Sequence, residues 1–364
     1  MACTESSRVL TAGSDGLRLL DVASGDVLAH DPRTPLQTLA LTSDGTVVVG
    51  AKDAQLDAWR LDGGSLAHAG TWETGGRETC ALLATSDARA LIAVHYDSSA
   101  VTVHGLGPDG LPDGRAVTVP LTGFGPDAER QEASHPHHAI EVDGRVLIVD
   151  LGADAIGELD VPGALAAADA AASDLAATPP VDLAFRLPPG TGPRHARAVP
   201  DGSGRLVVSG ELDSAVHVIA PDGAVCSTAA SHSRLRIRNY PSDVLVSADG
   251  RLAYLANRGA HSVAAFDISG DEPVWRTEVE VPAWPQKLAL SDDSDGRPCL
   301  LVACRDGDAV AVLPLDDAGI PTDAAAELPV PGADWVEHVD RPRNKGRVRE
   351  LLNCRLSADR PPSA

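Results

Sequence analysis

The sequence predicts an all-β chain, a seven-bladed β-propeller with four-stranded antiparallel blades. Three observations carry this: one multi-strand unit recurs seven times, apolar runs within each unit alternate with a period of two, and D-G turns separate the runs. Hydrophobic residues make up 43% of the 364 and charged residues 23%, enough apolar material for an ordinary globular core. Aromatics are only 3%, so that core is built from Val, Leu, Ile and Ala, which suit thin stacked sheets, while 34 Gly and 27 Pro supply turns.

The copies run in order along the chain. The first, SSRVLTAGSDGLRLLDVASGD from Ser6, is short, and the second is PLQTLALTSDGTVVVGAKDAQLDAWRLDGG from Pro35. The third begins TCALLATSDARALIAVHYD at Thr79, the fourth is PHHAIEVDGRVLIVDLGADAIGELD from Pro136, and the fifth begins PRHARAVPDGSGRLVVSGELD at Pro193. PSDVLVSADGRLAYLANRGAHSVAAFDISG from Pro241 is the sixth, and the seventh opens PQKLALSDD at Pro285. Each holds three apolar runs, and a fourth strand fits between copies, as in AVTVPL after Arg115 and RTEVEVP after Trp275. Closing a propeller requires its ends to meet, so a strand near Trp335 to Val339 is expected to complete the blade begun at the N-terminus. The chain, 1–364, is read as one domain. Its Ala-rich insertion at 163–180 has helix propensity and is stopped by Pro179 and Pro180. The basic run RPRNKGRVRE from Arg341 is read as a solvated terminal segment.

A net charge of −22 opposes a polyphosphate surface, so no nucleic-acid partner is expected. No stretch reaches the length of a membrane-spanning helix, and the start MACTESSRVL lacks the basic and apolar regions of a secretion signal. Cys3, Cys80, Cys226, Cys299, Cys304 and Cys354 lack C-x-x-C spacing, which fits reduced thiols and a cytoplasmic location. A monomer or weak homodimer is expected.

In such a blade the start of the first strand and the end of the second lie at the same end of the sheet. His135, His137 and His138 open the first strand of blade 4, and Arg194 and His195 open that of blade 5. Glu211 follows the second strand of blade 5, Asn257 and Arg258 close that of blade 6, and Asp243 lies near the start of blade 6. All are expected on one face near the central channel, where converging polar groups make the default small-molecule site. Plainer readings stand beside this one. Arg258 and Glu211 can form a structural ion pair between blades, and His137 and His138, pointing to opposite sides of a strand, cannot both serve. His135 and His137 share a face and could grip a metal, but no third ligand accompanies them, so no metal and no cofactor is expected. No G-x-S-x-G motif and no glycine-rich phosphate loop occurs.

The stretches GPDAERQEASHPHHA from Gly125, GPRH from Gly192, GELDSAV from Gly210 and ANRGAHSVAAF from Ala256 resemble the signature segments of the propeller-type lactonase family. That family includes bacterial 6-phosphogluconolactonases of propeller fold and fungal carboxy-muconate lactonizing enzymes. The resemblance runs from about Thr38 to Leu313, and its most specific part is the block holding Arg130, Glu132, His135 and His137. It implies a catalytic set of His135 or His137, Arg194, Arg258 and Glu211, with Arg130, Glu132, His195, Asp243 and Asn257 contacting substrate. Gly210, Asp243 and His95 stand where the family commonly has Asn, Glu and Asn, departures that bear on substrate identity.

The implied activity is hydrolysis of a small anionic sugar-acid lactone, 6-phosphogluconolactone being one example. The histidine is then expected to take a proton from water, Glu211 to orient the imidazole or act as base, one arginine to face the oxyanion and the other to hold the substrate's anionic group. Cycloisomerisation of an unsaturated diacid, as in muconate chemistry, is the alternative for the same site. A non-catalytic binding propeller is the alternative of another class, disfavoured because five Trp and three Tyr leave little material for a protein-binding hot face.

Overall fold

The alternation of buried and half-exposed residues produces seven four-stranded antiparallel sheets in the computed structural model, which describes residues 7–169, 181–232, 238–270, 272–293, 295–324 and 326–339. Blades 2 to 7 each run from an inner to an outer strand in chain order. Blade 2 begins at Thr38–Leu41, blade 3 at Thr79–Ala84, blade 4 at Pro136–Val142, blade 5 at Pro193–Ala198, blade 6 at Pro241–Val246 and blade 7 at Pro285–Asp292. Blade 1 takes its first strand from the far end of the chain: Trp335–His338 pairs with Arg8–Gly13, in register Ala12 to Trp335 and Val9 to His338. The expected closure is therefore present.

The blades stack through seven apolar clusters, each shared by two neighbours around the ring. In blade 2, Val48 and Trp59 pack toward blade 1, whereas Val47, Val49 and Ala51 pack toward blade 3. Successive residues of a strand point to opposite faces, so a blade with two neighbours must be apolar at consecutive positions, and the central strands read as continuous buried runs. Blades 7 and 1 share Leu301, Ala303, Val9 and Val336, so the last interface is of the same kind as the others. Outer strands such as Val225–Ala230 alternate half-buried with exposed residues.

Hairpins follow the D-G signals. Asp143 and Gly144 both have positive φ, 51° and 79°, the two-residue turn whose twist matches the flanking strands. The Ala-rich insertion begins as a helix, Val161–Asp169, whose Ala164 and Leu165 pack onto the interface of blades 3 and 4. The remainder of the insertion, Ala170 to Pro180, and the basic run from Arg341 lie outside the described residues. Cys80, Cys226 and Cys304 are free thiols. Among the described residues no helix is long and apolar enough to cross a membrane.

Candidate active site

Two structurally equivalent positions, repeated from blade to blade, build one mouth of the channel. The first is a β-bulge near the start of the innermost strand. In blade 4, Pro136 pairs with Asp150 and His138 with Val149, so His137 is the extra residue. The same shift makes Cys80 the extra residue in blade 3, Arg194 in blade 5 and Gln286 in blade 7. A bulge re-aims a side chain out of the alternating pattern, and all four line a cavity of about 270 Å³. The second position directly follows the second strand: Tyr96 in blade 3, Glu211 in blade 5, Arg258 in blade 6 and Arg305 in blade 7, all lining the same cavity.

Glu211, 3% exposed, is the electrostatic centre. Arg130 donates a hydrogen bond to its Oε1 at 2.9 Å, and Oε2 lies 3.1 Å from Arg194 Nε and 2.6 Å from Arg258 Nη2. The last two are ion pairs by distance, made by buried guanidinium nitrogens that lack hydrogen-bond alignment with the carboxylate. Burial works against the Glu211 carboxylate, but Arg258, Arg194 and Arg130 outweigh it and hold its pKa near 2. Glu211 is therefore an anion at neutral pH with almost no basicity. It contacts arginines rather than an imidazole, which corrects the expectation that it acts as base or orients the histidine.

Arg194 also donates to His195 Nε2 at 3.2 Å and to Gln286 Oε1 at 3.3 Å, and burial together with Arg258 brings it down to about 10, still cationic. Because an arginine can only donate, His195 Nε2 is the lone-pair nitrogen and Nδ1 carries the proton it gives Asp243, at 2.7 Å. Burial and Arg194 lower His195 to about 3. His137, edge-on to His195 at 5.6 Å, is held well below the usual histidine range by burial and Arg194. Its Nδ1 is buried with no described partner, leaving Nε2 as the nitrogen that meets the cavity.

Other expected site residues do not reach the cavity. His135 stacks on Tyr96 and is held by the Tyr96 carbonyl at 3.0 Å and by Glu132 at 3.1 Å, so this pair faces away. Asn257 is wholly buried, accepting from Asn239 and donating to the Ser231 carbonyl, which ties blade 6 to the segment that leaves blade 5. Asp243 is also fully buried. It sits beneath the mouth and accepts from His195, Lys287 Nζ at 2.8 Å and the Leu288 amide, with Arg197 at 3.3 Å. His138, stacked on His195 at 4.3 Å, turns to the opposite side of its strand and takes a hydrogen bond from Arg197. Among the described residues no group of three or more His, Cys, Asp or Glu side chains is placed to hold a metal. Cys80 lines the cavity, but burial raises its thiol to about 12, so it is protonated and no nucleophile.

Tyr96, Gln286, Arg305 and Asp334 line the same cavity and were not found by sequence reasoning. The signal existed for three of them. Gln286 follows the opening proline of its copy as His137 and Arg194 follow theirs, and Tyr96 and Arg305 stand where Glu211 and Arg258 stand. Asp334 lies just before the closing strand, where burial raises its carboxyl to about 6 against the opposing pull of Arg305.

Residues 37–338 match the model of the seven-bladed β-propeller lactonase family. The chain belongs to that family. Membership makes this propeller lactonase a hydrolase. A Bacteroides fragilis structure, solved as a candidate 6-phosphogluconolactonase, shares 25% identity over 93% of this chain and 100% of its own, with a TM-score of 0.78. The periplasmic gluconolactonase of Pseudomonas aeruginosa shares the fold at 20% identity, over 91% of this chain and 98% of its own, with a TM-score of 0.76. The 6-phosphogluconolactonase of Bacillus subtilis is 22% identical over 280 residues, 71% of this chain and 75% of that protein.

Proposed function

We propose that the lactonase opens a sugar-acid lactone bearing an anionic group, of the phosphogluconolactone kind named for its relatives. The carrying observation is the grouping of Arg130, Arg194, Arg258 and Arg305 around one cavity in a chain of net charge −22. Such a local cationic site attracts an anion that the rest of the surface repels. The cavity, about 270 Å³, sits at the small end of ligand pockets and suits a monosaccharide rather than a polymer.

In this reading the lactone carbonyl lies against Arg194 and Arg258, whose positive charge stabilises the oxyanion as it forms. A water adds its oxygen to the carbonyl carbon while its proton passes to His137 Nε2. The ring C–O bond then breaks, and the imidazolium returns the proton to the leaving alkoxide, so one neutral histidine serves both steps. Burial and Arg194 keep it neutral at pH 7, with a lone pair to accept the proton. Glu211 acts by keeping three guanidiniums together.

Arg194→Ala and Arg258→Ala should each lower kcat/KM on a lactone panel by about 10²- to 10³-fold. Wild-type rates in both would end this reading. The histidines separate in the same assay: His137→Ala should lose about 10²- to 10⁴-fold in kcat. His135→Ala, which removes a ring outside the cavity, should stay within about tenfold. The reverse order would reassign the base to His135.

A further inference from the structure

Three of the four cavity arginines are committed to Glu211, and the fourth is not. Arg305 contacts a carboxylate only through Nε, which donates to exposed Asp306 at 2.9 Å, and no described residue accepts from its Nη atoms. Its position also differs in depth. The side chains of Arg194 and Arg258 are 8% and 10% exposed, whereas that of Arg305 is 39% exposed, at the rim.

What orients Arg305 is Trp284. Two guanidiniums approach the indole, its ring centre 5.4 Å from Arg258 and 5.3 Å from Arg305, so one aromatic ring contacts both a deep cation and a rim cation. The Trp284 backbone is held in the left-handed region, φ 62°, a conformation unfavourable for a bulky residue. Its carbonyl accepts from the Arg305 amide at 3.0 Å and its amide donates to His261 Nδ1 at 3.2 Å, so the strained conformation and the arginine are bonded together. A strained tryptophan placed against two cavity arginines suits a role in holding them.

We infer that Arg305, held by Trp284, is the receptor for the remote anionic group of the substrate and sets the preference for a charged over a neutral lactone. This rests on the proposed lactone hydrolysis. With the carbonyl deep against Arg194 and Arg258, a phosphate at the far end of a six-carbon chain reaches outward to the rim, where a guanidinium with open Nη donors meets it in bidentate fashion. Arg305 thus binds substrate, and Trp284 is a positioning residue.

The test measures kcat/KM for 6-phosphogluconolactone and for gluconolactone, which share the ring and differ in the phosphate. In Arg305→Ala the ratio of the two should fall by about 10- to 100-fold, mainly through KM for the phosphorylated lactone. Arg305→Lys, which keeps the charge but not the fork, should fall less. Trp284→Ala should lower the ratio in the same direction and Trp284→Phe should restore most of it. An unchanged ratio in Arg305→Ala, or equal losses on both lactones, overturns the inference while leaving lactone hydrolysis standing. If the wild type opens neither lactone, the functional reading fails instead. Inorganic phosphate binding, followed by tryptophan fluorescence, then decides the Arg305 assignment: loss of binding in Arg305→Ala supports it, and unchanged binding refutes it.

Discussion

Glu211→Gln is expected to remove nearly all lactone-opening activity and to lower folding stability by about 3–5 kcal/mol, the cost of breaking a buried ionic group by deleting one partner. The substitution is isosteric, so neither effect comes from lost volume. It leaves Arg130, Arg194 and Arg258 facing each other without the anion that gathers them. Arg194, already brought to about 10 by burial and Arg258, then either loses its proton or moves away, and both outcomes remove a donor from the oxyanion position. The wild type should show the same linkage through pH. The folded-state pKa of Glu211, about 2, lies below its ordinary 4.5, so its contribution is fully present above about pH 4.5 and is lost as pH falls toward 2. That shift corresponds to roughly 3 kcal/mol. Urea midpoints measured from pH 7 down to pH 2 should therefore fall more steeply in the wild type than in Glu211→Gln. Parallel slopes, or a variant with wild-type kcat/KM, would show that the three-arginine grip is not what shapes the mouth.

The second large effect belongs to Asp243, beneath the mouth. Asp243→Ala should destabilise the fold by about 3–5 kcal/mol, because it leaves Lys287, 4% exposed, and Arg197 without their carboxylate. It also removes the acceptor for His195 Nδ1, so the tautomer that receives Arg194 is no longer fixed, and kcat should fall even in molecules that remain folded. Asp243→Asn combined with Lys287→Met removes the charge imbalance along with the pair. It should recover most of the stability but not the activity. A single variant with an unchanged denaturation midpoint would mean that solvent reaches this network and shields it.

Much of this was legible in the chain. Seven copies of an alternating unit leave no other way to bury continuous apolar strands than blade against blade, and the short first copy required a strand from the far end, which Trp335–His338 supplies. Antiparallel pairing placed His137, Arg194, Glu211 and Arg258 at one end of adjacent sheets, and all four line the cavity. Less legible was which of two neighbouring residues turns inward. Asn257 and Arg258 are consecutive, yet one is sealed inside blade 6 and the other stands in the mouth. Asp243 was expected beside the substrate, and the structure buries it under two cations, an imidazole and a backbone amide. The period of two says that neighbours diverge. It does not say which one points where once a bulge shifts the register.

The sequence by itself determined the ring and the rim: how many blades, how the ends join, and which end of each sheet gathers the polar residues. These follow from local periodicity and from pairing rules that need no partner's coordinates. Only the tertiary structure decided the contacts. It set Glu211 among three arginines, left Arg305 with open donors at the rim, and placed His137 rather than His135 against the cavity. A charged group's pKa and reach depend on which groups from other blades surround it, and those distances exist only once the ring has closed.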